Sequence, residues 1–225
     1  MGSRIGRLGR QLADRIVRRA YAYVQATVAA DLPRFANAPR NLIIELPRRI
    51  FEPHCMQLGD DVKIGPGSLL VAQTHYPTET MRHPLDTRAP QRFDPQIIIG
   101  NRVTSTGGLT LAAMHKIVIE DDVMLAGNVL ISDGLHGFDS IETPYKYQPM
   151  GRIAAVIIGR GCWVGQNVVV MPGVSIGEMS IIGANSVVTR NIPARSIAVG
   201  APAHVIKRWD EARGGWCDVA QVAAG

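Results

Sequence analysis

Aliphatic side chains return at every sixth residue from Ile158 through Val164, Val170, Ile176 and Ile182 to Val188. Four positions after each comes a second small or aliphatic residue: Cys162, Val168, Val174, Ser180, Ser186 and Ile192. An amphipathic helix would space its apolar residues by three and four, and an isolated strand by two. A chain that turns an aliphatic residue inward every six positions steps from one flat face to the next. Three such hexads close one coil of a parallel β-helix. Three positions after each aliphatic lie Gly161, Asn167, Gly173, Met179, Asn185 and Asn191. Five of these six are Gly or Asn, the residues that adopt positive φ at least cost, as a corner between short strands requires. Gly159, Gly165, Gly177 and Gly183 directly follow the aliphatics, where backbones of successive coils approach closely.

The same register appears earlier in Leu58–Val62, Ile64–Ser68, Ile99–Val103, Ile119–Val123 and Leu125–Val129. The fold expected is therefore all-β, a parallel β-helix of roughly five to six coils, enough to bury a continuous aliphatic column. Its expected span is 58–200. An N-terminal helix and linker fill 1–57, and an extension over 201–225 is expected to include a short C-terminal helix. Low aromatic content (5%) suits a narrow core of Val, Ile, Ala, Ser and Cys.

Ile5, Leu8, Leu12, Ile16, Ala20 and Val24 follow helical spacing, with Arg4, Arg7, Arg10, Arg15, Arg18 and Arg19 around them. Such a helix over residues 4–24 suits packing against the β-helix or a neighbouring subunit, or peripheral contact with an anionic membrane. Residues 31–57, with Pro33, Pro39, Pro47 and Pro53, read as the linker.

The bulk properties bound the rest. The 225 residues fit one domain with small appendages. No run of about 18 apolar residues predicts a spanning helix, and the arginine-bearing N-terminus lacks the apolar core of a signal peptide. Three scattered cysteines (Cys55, Cys162, Cys217) do not make a disulfide framework, so the expected compartment is the reducing cytoplasm, with the inner membrane surface as an added location. Cys162, on an inward position, reads as core filler. The net charge of +5 favours anionic ligands, but basic residues are not interleaved with aromatics, and no nucleic-acid partner is expected.

Two excursions break the coils. One runs from Val71 to Ile97 and carries His75, Tyr76, His83, Pro84, Arg88 and Arg92; the other runs from Ser132 to about Ala155 and carries Asp133, His136, Phe138, Tyr145, Tyr147 and Gln148. Loops thrown from a solenoid gather on one side and concentrate binding groups there, or else cover a subunit interface. Asn128, Asp133, Tyr145, Tyr147 and Gln148 carry groups that can hydrogen-bond a hydroxylated ligand.

The run Ile158-Gly159-Arg160-Gly161-Cys162-Trp163-Val164-Gly165 through Ile182-Gly183-Ala184-Asn185-Ser186-Val187-Val188-Thr189, and then Ala198-Val199-Gly200-Ala201-Pro202-Ala203-His204-Val205-Ile206, resembles the hexapeptide-repeat acyltransferases. The resemblance covers about residues 115–208 and is strongest to the sugar O-acetyltransferase branch, which includes galactoside, maltose, nodulation-factor and polysaccharide enzymes. It implies a left-handed coil, against the usual right-handed crossover. It further implies a homotrimer, and acetyl-coenzyme A lying between adjacent β-helices.

Acetyl transfer to a hydroxyl needs a base, oxyanion donors and aligned substrates. His136, just after the Ile131 coil position, stands where the resembled enzymes place their catalytic His, and imidazole titrates near operating pH. The resemblance also carries coenzyme contacts to Gln166, to the Ala184 backbone, and to Thr189, Arg190, His204 and Lys207 near the nucleotide and phosphates. Trp163 and Gly165 complete that set, Trp163 as an outward ring walling the acyl pocket or packing the trimer. His204 stands where Arg is common, and Gln166 where the galactoside branch has Ser. No metal is expected, because no histidine pair with the spacing of the β-helical carbonic anhydrases lies between His115 and His136. Met114 and Thr106-Gly107-Gly108 replace the acidic residue and Asn of galactoside-type enzymes, while Gly137-Phe138 and Gln148-Pro149 resemble polysaccharide-type enzymes. The acceptor expected is accordingly a surface glycan or a lipid- or nucleotide-linked sugar. N-acetylation of an amino sugar or antibiotic, and a non-catalytic scaffold, are the competing readings.

Overall fold

A computed structural model of the chain describes residues 4–79, 82 and 88–219. His83 and Pro84 lie outside the described residues, as do the side chains of Arg4, Ile5, Arg7 and Leu8. Two units divide at Pro33 and Arg34. The first is the helix Arg4–Ala30, longer at its C-terminal end than the spacing predicts. Gln25, Ala26 and Thr27 continue it past Val24, and the Asp31 N–H closes the last turn on the Thr27 carbonyl at 3.0 Å. Pro33 then disfavours helical backbone at the residue before it. No helix among the described residues is long and apolar enough to cross a membrane.

The second unit is a three-sided stack of short strands. One sheet runs in parallel through Ile43–Ile44, Lys63–Ile64, Thr104–Ser105, Met124–Leu125, Trp163–Val164, Ile181–Ile182 and Ser196–Gly200. A second holds Arg48–Phe51, Ser68–Ala72, Thr110–Ala113, Leu130–Ser132, Val169–Val170 and Val187–Val188. The third stacks Met56–Leu58, Gln96–Ile99, Lys116–Ile119, Val156–Ile158 and Ser175–Ile176, with a bridge from Ile176 to Ile192.

Register explains the period. Trp163 pairs with Ile181, 18 positions on, which is three hexads. Thr104 pairs with Met124, 20 positions on, because the lower strands Thr110–Ala113 and Lys116–Ile119 are longer than their upper counterparts. Those extra residues blur the hexad count in the first half of the chain. Both repeat positions are inside: Ile158, Val164, Val170, Ile182 and Val188 are 0% exposed, and so are Val168, Ser180 and Ser186. The buried serines complete backbone hydrogen bonding. Ser180 Oγ donates to the Pro193 carbonyl at 2.9 Å, and Ser186 Oγ accepts from the Gly200 N–H at 3.0 Å. All three cysteines are free thiols; Cys162 is buried, and burial pushes its thiol up to about 11. Core filling is its task.

At the corners, Gly161, Asn167, Gly173, Met179 and Asn185 have φ between 55° and 80°. Asn191 is not among the positive-φ residues; its Oδ1 accepts from the Ser175 N–H at 2.9 Å instead. One corner carries a ladder of ion pairs, Arg40–Asp60, Arg102–Asp122, and Glu178 with Arg160 and Arg195. Another carries an asparagine ladder: Asn128 Nδ2 donates to Asn167 at 3.3 Å, and Asn167 Nδ2 to Asn185 at 2.9 Å.

Two expectations need correction. Residues 31–57 are not a plain linker, since three of their segments are strands of the stack and Ile44 is 1% exposed. Asn37 also pairs its amide with both Leu58 backbone groups, capping the first edge of the third sheet. In its described part, to residue 219, the C-terminal extension is built on a hairpin that the spacing did not predict; the rest of the expected short helix falls on residues 220–225, outside the described residues. Ala203–Asp210 and Gly215–Asp218 continue the first sheet in antiparallel fashion. Trp209 packs edge-on against Trp216 across the strands, and Gly214 takes the positive φ of the turn. A cross-strand aromatic pair and a glycine turn favour a hairpin over a helix.

A methyl group on Gly177 would stand 2.3 Å from the Ala194 nitrogen of the next coil, so Gly177→Ala is predicted to lower stability in urea. The expected loss is about 1–3 kcal/mol. Gly215→Ala, with nothing within 4 Å, is expected to change it little. A backbone N–H and guanidinium from Arg40 hold the Asp60 carboxyl below its ordinary range; Asn101 does the same for Asp121, and Arg102 for Asp122. Their stabilisation is therefore complete above the unfolded carboxyl value of about 3.9 and is lost as pH falls through the lower folded values. Melting curves are predicted to drop below about pH 4, and less steeply when all three are changed to Asn.

Candidate active site

Both excursions leave the same corner. The first follows Ser68–Ala72 and precedes Gln96–Ile99; the second follows Leu130–Ser132 and precedes Val156–Ile158. Between them one coil turns directly from Ala113 to Lys116. The Asp133 carboxylate fixes that turn, accepting from the backbone N–H groups of Met114, His115 and Lys116 at 2.7, 2.8 and 2.6 Å. Asp133 is 0% exposed. It was expected to meet a hydroxylated ligand, but its oxygens are spent on the corner. An acceptor-only group satisfies three otherwise unpaired N–H donors there.

Each excursion begins as a two-stranded ribbon. His75–Tyr76 pairs antiparallel with Gln91–Arg92, and Leu135–His136 with Met150–Gly151. Gln91 joins the ribbons: its Oε1 accepts from the Met150 N–H at 2.6 Å and its Nε2 donates to the Met150 carbonyl at 3.2 Å. Tyr76 Oη donates to the Lys146 carbonyl at 2.9 Å. Tyr76, Met114 and Met150 form a buried cluster with Phe93 and Ile153 packed on it. His136 is exposed on this platform, and its ring meets the Tyr76 ring edge-on with centroids 5.1 Å apart. Arg152 stacks 4.7 Å from the centre of the exposed Phe138 ring nearby in the same loop.

The other acceptor candidates divide. Tyr145 is exposed in the 3-10 turn Tyr145–Tyr147. Gln148 is 4% exposed, and its amide donates to the Ser140 and Thr143 carbonyls at 2.7 and 2.8 Å, so it closes the loop on itself and is not presented to a ligand. Asn128 is exposed, yet it sits in the asparagine ladder with φ 58°, at a different corner from His136.

The coenzyme candidates also divide. Thr189 and Arg190 are exposed and follow Val187–Val188, at the corner from which the loops depart. Gly165, Gln166 and Ala184 lie at the corner between the first and second sheets. A side chain at Gly165 would come within 2.7 Å of the Ala184 nitrogen, so glycine there lets the coils stack. Trp163 points outward from the first sheet, 47% exposed. His204 is exposed opposite Val199, and Lys207 stands beside Ile197 with its ammonium 3.8 Å from Asp218. Within one chain the second sheet separates His136 from Trp163, Gln166 and Ala184.

His54 lies 3.6 Å from Glu52, and His75 Nδ1 lies 3.1 Å from the Thr74 hydroxyl. Among the described residues no three His, Cys, Asp or Glu side chains gather as metal ligands. A groove of about 350 Å³ beside the first ribbon is lined by Arg49, Phe51, Leu69, Val71, His75 and Thr78.

Sequence reasoning names Tyr76 without a role and passes over Gln91. Their hydrogen-bond partners lie 70 and 59 positions away. The available signal is that Gln96–Ile99 and Val156–Ile158 resume the same face after each break, which places both loops at one corner.

The family model described as bacterial transferase hexapeptide (six repeats) matches residues 155–190. A putative acetyltransferase of Schizosaccharomyces pombe is 30% identical over 159 residues, 67% of this chain and 74% of that protein. A putative lipopolysaccharide biosynthesis O-acetyl transferase, WbbJ of Escherichia coli K12, is 33% identical over 120 residues, 51% of this chain and 61% of its own length. The chain thus spans less than two thirds of that relative. Among solved structures, a point mutant of AntD, an N-acyltransferase from Bacillus cereus in complex with dTDP and coenzyme A, superposes with a TM-score of 0.62 at 18% identity, over 84% of this chain and 89% of that one. That likeness bears on the fold, and with the repeat it implies a left-handed β-helix. The chain belongs to the hexapeptide-repeat acyltransferase family.

If Asp133 anchors the corner, Asp133→Ala is predicted to lower the urea midpoint by the equivalent of about 3 kcal/mol, the scale of hydrogen bonds to a buried charge. A ligand contact would instead raise KM at an unchanged midpoint.

Proposed function

We propose that this chain transfers acetyl from acetyl-coenzyme A to a saccharide hydroxyl. The observation that carries the reading is an exposed imidazole, His136, on a platform of two interlocked loops in a chain of this family. His136 takes the proton of the acceptor hydroxyl as its oxygen attacks the thioester carbonyl. The tetrahedral intermediate collapses, the carbon–sulfur bond breaks, and the coenzyme thiolate takes up the proton from the imidazolium. The oxygen keeps the acetyl group as an ester.

A homotrimer supports this chemistry better than a single chain. One chain sets His136, Thr189 and Arg190 at one corner and Gln166 and Ala184 at another, with Trp163 on the first sheet beside the latter. Two copies side by side bring one copy's loop corner against its neighbour's first sheet, joining the two sets around one coenzyme. Arg190 and Lys207 suit phosphate groups. The outward row Met124, Trp163, Ile181 and Ile197 offers an apolar surface for that contact. Tyr145 and the ring of Phe138 face solvent in the loop of the base and suit a sugar, and the name of the lipopolysaccharide biosynthesis O-acetyl transferase among the relatives supports an acceptor of that class.

His136→Ala is predicted to keep the native melting curve and lower turnover by about 10²-fold or more, read as thiol release with acetyl-coenzyme A and a panel of glycans and amino sugars. Near-normal turnover would remove His136 from the role, and an amide product would replace the O-acetyl reading with N-acetylation.

A further inference from the structure

We infer that the helix Arg4–Ala30 is a peripheral anchor that lies flat on an anionic lipid surface. The charge of the chain is concentrated there. Lys and Arg (24) less Asp and Glu (19) leave +5 for all 225 residues. The helix holds six arginines against one acid, Asp14, which is also +5, so everything beyond it sums to zero. The net positive charge of this chain is therefore matched by that of one helix.

The helix is two-sided by register. Leu12, Ile16 and Val24 share a broad apolar arc with Ala13, Ala20 and Val17, whereas Arg15 and Arg18 hold the opposite side and Arg10 and Arg19 flank the arc. The apolar side is open: Leu12 is 61% exposed, Ile16 60% and Val17 66%. Tyr21 and Tyr23, equally exposed, have the amphipathic rings that settle at headgroup depth. The arc is wider than the narrow seam of a coiled coil, and flanking arginines on a second copy would repel. Anionic headgroups neutralise those arginines while the arc enters the acyl boundary. At 1.5 Å per residue the helix covers about 40 Å of surface without spanning it.

The test is co-sedimentation of the full chain with vesicles of phosphatidylcholine alone or mixed equally with phosphatidylglycerol. Binding is expected only to the anionic vesicles, and to fall steeply between about 0.1 and 1 M salt as screening shortens from about 10 to 3 Å. Arg15→Glu with Arg18→Glu is expected to weaken partition by about a hundredfold or more, each basic residue being worth about fivefold. Leu12→Asp with Ile16→Asp is expected to abolish it. All four side chains are outside the repeat core, so thiol release on a soluble acceptor is expected to stay unchanged, and a failed acetyl-transfer reading leaves this test intact. No binding to anionic vesicles, equal binding to neutral ones, or variants that bind normally would overturn the anchor. So would a Leu12/Ile16 variant whose sedimentation velocity reports a changed oligomer, which would make a second copy the occupant.

Discussion

Backbone hydrogen bonds between equivalent positions of successive coils hold this molecule together. Gly159 N–H donates to the Ile176 carbonyl at 2.8 Å, Gly165 to Ile182 at 2.8 Å and Gly183 to Ala198 at 2.9 Å. Each coil must therefore repeat the path of the one below at the spacing of neighbouring strands, about 4.8 Å. That constraint selects the residue types. Inward positions must be small or aliphatic, corners must accept positive φ, and glycine stands where a side chain would strike the next coil. Met179 and Arg195 take the left-handed conformation without being Gly or Asn, at φ 55° and 54°. The stacking on either side fixes a backbone that alone costs about 1–2 kcal/mol per residue.

A stack this regular lets irregular segments be aligned. The two excursions are far apart in sequence, but both leave from the edge where the second sheet turns into the third. Asp133 secures the coil between them, and Gln91 and Tyr76 tie one ribbon to the other. A base presented from a single long loop would wander. Here the candidate base, His136, rides on a two-residue strand backed by a buried aromatic ring, which limits the orientations its imidazole can sample.

Polar residues near the candidate base serve the platform as much as any ligand. Asp133 and Gln148 both look like acceptor contacts on composition, yet both are buried and engaged with backbone. The side chains facing outward include rings and cations, Tyr145, Phe138, Arg152 and His136 itself, alongside Asp139 and Glu142. Charge is similarly segregated, because the corner ion pairs of the β-helix cancel one another while the N-terminal arginines do not.

The hexad spacing by itself determined the three-sided stack, its inward residues and most of its corners, because one inter-coil contact is demanded every six positions whatever surrounds it. It was also enough to single out the two interrupted stretches, while the choice of His136 within the second came from the family resemblance. The strands at 43–51 escaped it, since the edge coil needs only its inner side satisfied and Pro47 and Pro53 mask the pattern. The C-terminal hairpin escaped because the pairing of Trp209 with Trp216 across a turn has no periodic trace. Tertiary structure alone decided what Asp133, Gln148, Asn128, Tyr76 and Gln91 do. Whether a polar side chain meets a ligand or a backbone group depends on what lies beside it in space, and across these loops most of those neighbours are tens of residues away.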